Sequence, residues 1–452
     1  MTSKKSSVLG IVFLTVFLDI VGFSIIFPLF PGMLDHYVGL EGVDSPVGQL
    51  AQWLAGFAGE DTNAVTTLFG GLLGSLYGLL QFVFSTVWGG ISDRFGRRPT
   101  LLLTLVGTVA SALLWVWAGS FAILIAARVL GGIMAGNIST ASAAVADCTE
   151  AEDRAKGMGI VGMAIGLGFI LGPAIGGFSM NLSLLGSAPS EPMQAFALNP
   201  FSAPALISAV LALLNLIWVW KRFPETFPIE VRATCPKLRS FNPVVRLRSL
   251  SFPGIRRTNF LYLSFLTAFA AVEFTLTFLA VERLQYSEIE LAWLFVFIGL
   301  IIALVQGGFV RRLAPKYGER RVAFVGLALT APGFLLLASA QATFQLYLAL
   351  GFMAVGSALV MPCLSALISR YTPANRQGLA LGTFRSMGSL SRALGPVLGA
   401  LLYWKFGSAA PCEWGAYLLI IPLGLAWTLP PPTIPKTEYA IRSEASSSTS
   451  DG

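Results

Sequence analysis

The runs Leu68–Trp88 and Leu101–Trp117 contain no charged residue, whereas the twelve residues that separate them, Gly89–Thr100, hold three arginines and one aspartate. Uncharged apolar runs of this length, about 17 to 25 residues, are what a helix needs to cross a hydrocarbon core of about 30 Å. Backbone N–H and C=O groups find no water there, so a single run has to satisfy them internally as a helix. The charged segment is therefore expected to be a tight turn in water between two membrane helices. Within it, Gly89 and Gly90 suit close helix approach, Gly96 permits a sharp reversal and Pro99 fits the first turn of the second helix. Asp93 stands at the membrane edge, placed to pair with an arginine or to face a helix N-terminus.

Twelve such runs recur, near Val8–Leu29, Leu68–Gly90, Leu101–Trp117, Phe121–Ala146, Gly157–Met180, Phe201–Trp220, Asn259–Val281, Leu291–Val310, Val322–Ala340, Phe344–Ile368, Gly378–Trp404 and Trp414–Leu429. Composition agrees: 55% of residues are hydrophobic and 12% charged, against about 25% charged in soluble domains. Lys4-Lys5 followed by Val8–Ile26 resembles a signal peptide but lacks a small-residue cleavage pattern, so it is taken as the first span. The net charge of +7 does not point to nucleic acid, because the charges alternate between loops. One set of loops holds Arg94/Arg97/Arg98, Arg154/Lys156, the basic stretch Lys221–Arg257, Arg311/Arg312/Lys316/Arg320/Arg321 and Arg370/Arg376. The other set holds Asp35, Glu41, Asp44, Glu60, Asp61, Glu191, Glu282, Glu288, Glu290 and Glu413, with Arg283 and Lys405 as its cations. That asymmetry places both termini in the cytosol.

The chain divides into a first six-helix bundle (1–220), a basic cytosolic linker (221–257), a second six-helix bundle (258–430) and a disordered Ser-rich tail (431–452). Internal echoes support two halves. Gly168-x-x-x-Gly172-Pro173-x-x-Gly176-Gly177 returns as Gly395-Pro396-x-x-Gly399, and Gly89-Gly90…Arg97-Arg98 returns as Gly307-Gly308…Arg320-Arg321. In the second echo Arg311 replaces the acid at Asp93, so a latch built on that acid is expected in the first half only.

An ionisable side chain inside a span costs several kcal/mol unless it meets a partner or a wet cavity. Five qualify: Asp19, Arg128, Glu273, Arg385 and Arg392. Asp19 and Glu273 sit near mid-depth in the first and seventh spans, and Arg385 and Arg392, seven apart, share one helix face. Both arginines are expected to point into a central cavity. Two structural pairs, Asp19 with Arg128 and Glu273 with Arg392, are the competing account, although a buried pair is a weak source of stability. Asp147 is read as a gate or surface contact, and His36 as a solvated residue at the outer end of the first span. Of the four cysteines, Cys148 and Cys235 fall in cytosolic loops, Cys363 in a run and Cys412 alone at a far-side end, so no disulfide is expected. Asn181-Leu-Ser is a sequon on the outer side; Asn137-Ile-Ser lies inside a span and is discounted.

The segment Gly89-x-x-x-Asp93-Arg94-x-Gly96-Arg97-Arg98 resembles the signature of the major facilitator superfamily between its second and third spans. Asp19-x-x-Gly22…Pro28-x-x-Pro31, Arg128-x-x-x-Gly132…Gly136, the Gly168–Gly177 motif and Phe223-Pro224-Glu225-Thr226 are similar to the twelve-span drug:proton antiporter branch. Val272–Leu279 and Gly382–Pro396 look like the tetracycline-transporter-like group of animals, candidates for organic-anion efflux. The resemblance implies an all-α membrane fold of twelve helices in two pseudosymmetric bundles. It also implies that Arg128 sits beside Asp19, with Asp19 carrying the proton and Arg128 modulating it, and that the Gly168–Gly177 helix keeps the closed cavity tight.

Together these readings predict a secondary transporter working by alternating access. Asp19 and Glu273 are the proton candidates, Arg385 and Arg392 the substrate candidates, and the Gly89–Arg98 turn the gate. Two acids and three arginines leave the cavity net positive, which favours organic anions or zwitterions. The partners are a small organic solute, protons and the bilayer of the plasma or an internal membrane, with the protein acting as a monomer and no C-terminal retrieval signal. An uncoupled facilitator of a neutral solute and a non-transporting receptor or scaffold are the alternatives. An enzyme is not expected: the chain has no metal-ligand cluster, no phosphate loop in water, and one histidine, so neither metal nor cofactor is implied.

Overall fold

In the computed structural model, residues 2–58, 62–149, 154–180, 182, 196–227, 254–372 and 377–431 are described. The first half consists of α1 (Thr2–Ser24), α2 (Phe30–Glu41), α3 (Pro46–Ala58), α4 (Thr62–Phe95), α5 (Arg97–Val116), α6 (Phe121–Met134), α7 (Asn137–Cys148), α8 (Arg154–Ser179) and α9 (Ser202–Arg222). The second consists of α10 (Ile255–Leu284), α11 (Glu288–Leu304), a π-helical segment (Val305–Val310), α12 (Arg311–Tyr317), α13 (Glu319–Ala338), α14 (Thr343–Tyr371), α15 (Gln377–Phe406), α16 (Ala410–Leu418) and α17 (Ile420–Trp427). Among the described residues, ten stretches have the length and apolar character to cross a membrane. Adding α15, whose hydropathy is diluted by Arg385 and Arg392, and the α16–α17 pair gives twelve crossings in two pseudosymmetric bundles of six. The Cys235 position, most of the linker, the tail beyond residue 431, Asp153, Arg376 and Asn181 lie outside the described residues.

Several sequence expectations change. The turn expected over Gly89–Thr100 shrinks to one residue: α4 stays helical to Phe95, α5 starts at Arg97, and Gly96 (φ 106°) alone reverses the chain. Polar side chains on a last helical turn reach water without the backbone leaving the helix, so the charges did not require a loop. Gly89 has nothing within 4 Å of a would-be Cβ and makes no close helix approach. The first outer loop is mostly helical. Phe30, Met33, Leu34 and Tyr37 of α2 are buried at helical spacing, and they carry His36 into a half-buried site between the rings of Tyr37 and Phe201, at 5.0 and 5.5 Å, rather than into solvent. The fourth span breaks at Ala135-Gly136, and the last divides at Leu419.

The halves meet closely along α4 and α15. Ser75 donates to the Ala393 carbonyl at 2.5 Å. A Cβ at Gly71 would lie 3.0 Å from the Ala400 Cβ, and one at Gly78 would lie 2.8 Å from the Ala393 nitrogen and 2.9 Å from its Cα. Backbone cannot yield as a flexible side chain would, so this seam is specific to glycine.

Overpacking such a contact costs about 1–3 kcal/mol. Gly78→Leu is therefore expected to lower the population in which α4 and α15 touch by about tenfold, read as a longer spin-label distance between the two helices. Gly39→Ala, where a Cβ has nothing within 4 Å, should leave that distance unchanged.

Candidate functional site

Asp19 finds its partner through the break in the fourth span. A Cβ at Gly136 would come within 2.5 Å of Trp88, whose indole fills that space and donates to the Ile133 carbonyl at 2.7 Å. The interruption is thus packed and hydrogen-bonded, as polar backbone in a membrane must be. It makes Asn137 the first residue of α7, where Nδ2 donates to Asp19 Oδ1 at 2.8 Å. Thr104 of α5 donates to Asn137 Oδ1 and so fixes which way the amide faces.

Arg128 is not bound to Asp19. Its guanidinium lies 4.7 Å from the Trp115 ring, its Nε is buried without a partner among the described residues, and Tyr37 and Tyr77 are its electrostatic neighbours. Nor do Glu273 and Arg392 form an ion pair, although Arg392 lies within Coulombic reach of Glu273. Both structural pairs weighed from the sequence are therefore absent from this conformation.

Glu273 and Arg392 instead line a narrow void between the halves, walled by Phe23, Phe27, Phe169 and Phe274. Arg392 Nη2 donates to Gln81 Oε1 and to Ser389 Oγ, each at 3.3 Å, so one guanidinium of α15 is tied to α4 across the interface. Arg392 also borders a second void with Gln81, Ser85, Tyr262, Ser389 and Arg385. There Arg385 is 8% exposed with Tyr262 in its electrostatic surroundings, while its Nε and Nη2 have no acceptor among the described residues. Asp19 lines neither of these two voids. Tyr77 stands between, with Asp19, Arg128 and Arg392 all in its electrostatic surroundings and its ring 4.5 Å from that of Phe23.

The Gly89–Arg98 motif forms a separate polar cluster. Arg97, 3% exposed, pairs with Asp93 at 2.5 Å and Asp147 at 2.9 Å and donates to Ser92 at 2.6 Å. Glu225, just beyond the end of α9, accepts from the backbone N–H groups of Arg97 and Arg98 at 2.9 and 3.3 Å and caps α5. Thr226 reaches Asp147 at 3.4 Å, and the Phe227 ring lies 4.5 Å from the Arg97 guanidinium. Arg98 donates to the Trp220 carbonyl at 2.7 Å; Arg94 is exposed beside Phe95. In α8, Gly168, Gly172 and Gly176 press on α1: a Cβ at Gly168 would sit 2.7 Å from Ile20 Cβ, and those at Gly172 and Gly176 would strike Ser24 and the Ile25 carbonyl. Pro173 lies inside the same helix, next to that face, and Gly177 is buried.

Asn137, Tyr77, Gln81 and Tyr262 escaped the sequence reading because each is an uncharged polar residue in an apolar run. Tyr77 and Gln81 carry one signal, spacing: with Ser85 they recur every four residues along α4. Cys148, Cys363 and Cys412 form no disulfide among the described residues, and Cys148 ends α7 instead of lying in a loop.

The Major Facilitator Superfamily model matches residues 12–316 and 307–444. Major facilitator superfamily domain-containing protein 10 of Bos taurus is 34% identical over 453 residues, covering 95% of this chain and 94% of its own. The class C tetracycline resistance protein of Escherichia coli is 29% identical over 427 residues, covering 94% and 93%. The crystal structure of the human organic anion transporter MFSD10 (TETRAN) superposes with a TM-score of 0.79 at 32% identity, covering 93% of this chain and 99% of that one.

A hydrogen bond to an ionised group is worth about 1.5–3 kcal/mol. Asp19→Ala and Asn137→Ala, alone and combined, should show a coupling energy in that range in a double-mutant cycle of unfolding in detergent. A coupling near zero would mean that the bond contributes nothing.

Proposed function

The chain belongs to the Major Facilitator Superfamily of membrane transporters, and from that membership we propose that it exchanges protons for amphipathic organic anions by alternating access. The observation that carries the anionic substrate is Arg385: a guanidinium 8% exposed, two of whose nitrogens have no acceptor, at the interface of the halves. A buried charge without a counter-charge is strongly unfavourable, and an incoming carboxylate or sulfonate would supply one. Arg392 borders the same void and also the aromatic one, so an anion bound there would lay an apolar body against Phe23, Phe169 and Phe274. The neighbourhood of a known organic anion transporter and of tetracycline resistance proteins supports this reading.

Proton exchange is assigned to Asp19 in the first bundle (1–220) and Glu273 in the second (258–430), joined by the cytosolic linker (221–257). Asp19 is held by a single neutral amide, a partner suited to either protonation state. Glu273 and a bound anion share the field of Arg392, so an ionised Glu273 repels substrate. Arg128, lacking an acid partner, tunes the site through its field on Tyr77. The Arg97 cluster serves as a latch that opens and reforms as the bundles rock, and the Gly168–Gly176 face keeps α8 and α1 moving as one body. Both termini face the cytosol, the protein acts as a monomer, and the membrane is the plasma membrane or an internal one.

In reconstituted vesicles, an acid interior is expected to drive accumulation of an aromatic carboxylate. Asp19→Asn should abolish the gradient dependence while leaving counterflow of substrate measurable, and Arg385→Gln should raise KM about tenfold or more, the loss of a charged hydrogen bond. Accumulation only with acid outside would make the protein a symporter, and a flux indifferent to pH would make it a facilitator; either result overturns the antiport reading.

A further inference from the structure

The two bundles treat their equivalent turns differently. In the first, Arg97 is consumed by Asp93 and Asp147, and Arg98 by the Trp220 carbonyl. In the second, the segment Arg311–Arg321 carries five cations and one acid, Glu319, and that acid is taken by Arg370 at 2.6 Å. Arg320 is spent on the Leu429 carbonyl at 2.7 Å. Arg312, Lys316 and Arg321 remain exposed, and none of them has an acidic partner among the described residues.

The surface on the membrane side of these cations is equally distinctive. The span Ile289–Val310 ends where they begin. Its last residues form the π-helical segment Val305–Val310, a local form frequent at functional sites. Gly307 and Gly308 within it are exposed, and a Cβ on either would meet nothing within 4 Å, so they leave a notch in the outer surface and do not serve packing. Leu304 and Phe309, each 61% exposed, flank that notch. Leu304, Gly308, Arg312 and Lys316 follow at intervals of four.

We propose that this face is a binding site for an anionic phospholipid of the cytosolic leaflet. Arg312, Lys316 and Arg321 hold the phosphate and headgroup, and the start of the acyl region lies in the Gly307–Gly308 notch between Leu304 and Phe309. The site rests on the proposed orientation, which puts these cations in the leaflet that carries acidic lipid. Positive residues that merely set topology would need neither the notch nor the absence of a protein counter-charge on three neighbouring side chains. A free phosphate would satisfy the cations but would not use the apolar flank.

The full chain in nanodiscs of phosphatidylcholine, with phosphatidylserine titrated in, is expected to unfold at progressively higher temperature. R312Q/K316Q should raise the phosphatidylserine fraction needed for half the effect at least about tenfold, with the midpoint in pure phosphatidylcholine unchanged. Gly308→Leu, which fills the notch without altering charge, should also weaken the response. K221Q/R222Q, which removes two exposed cations next to the first bundle, should not. The site is refuted by a titration unchanged in R312Q/K316Q, or by an equal effect of K221Q/R222Q. If millimolar inorganic phosphate reproduces the rise in pure phosphatidylcholine, the ligand is a free anion and the lipid assignment falls. The readout is stability, so a failed transport assay leaves this test intact.

Discussion

A carboxylate inside hydrocarbon has to be hydrogen-bonded from within the bundle, and the bond from Asn137 to Asp19 dictates much of the first half. It requires an amide at mid-depth on the fourth span, aimed at the first. An uninterrupted helix would run past that point with its backbone groups satisfied. Here the helix stops at Met134 and restarts at Asn137, with Trp88 of the second span filling the gap and bonding to the Ile133 carbonyl. Thr104 of the third span then orients the amide. Four spans thus contribute to the placement of one carboxylate, and α8 closes on α1 through glycines at the other side of the same helix.

Spans and the paired-bundle architecture were legible in the sequence because they depend on long-range averages: hydropathy over about 20 residues survives local irregularity. The five charges within the spans were legible for the same reason, each being an exception against an apolar background. Partners were not. Asp19 with Arg128 and Glu273 with Arg392 satisfy a simple matching of opposite charges, yet in the structure Asp19 turns to a neutral amide and Arg392 to Gln81. Pairwise charge matching ignores rotation about the helix axis, and a shift of one residue turns a side chain by about 100°. Asn137 was discounted as part of a sequon inside a span, which hid the residue on which Asp19 depends. The helices of the first outer loop were within reach: the buried positions of α2 follow the i, i+3, i+4, i+7 pattern, but the segment is too short and too charged at its end to register as a span.

The pseudosymmetry of the halves is one of backbone, and the chemistry departs from it in a consistent direction. Acids complete the Arg97 cluster on the first half, whereas the matching turn of the second half is left cationic. Inside the membrane the first half holds an acid with a neutral partner and an arginine stacked on Trp115, while the second concentrates two guanidiniums on α15 beside Glu273. A rigid-body rocking motion needs the halves to be alike in shape, but the proposed exchange of an anion at the α15 guanidiniums for protons at Asp19 and Glu273 would need them unlike in charge.

Arg392 is where those two requirements meet. It borders both voids, feels Glu273, and reaches across the interface to Gln81. The Gln81 bond, at 3.3 Å between a guanidinium and a neutral amide, is weak compared with what a carboxylate would offer. An anion bound as proposed in either void would therefore compete on favourable terms for the same nitrogens and would loosen the tie between α15 and α4. That tie lies on the seam where Ser75 and Gly78 already bring the two helices into contact. Under the proposed function, substrate binding and separation of the halves would draw on one set of donors, which would link occupancy of the site to the position of the bundles without any intervening pathway.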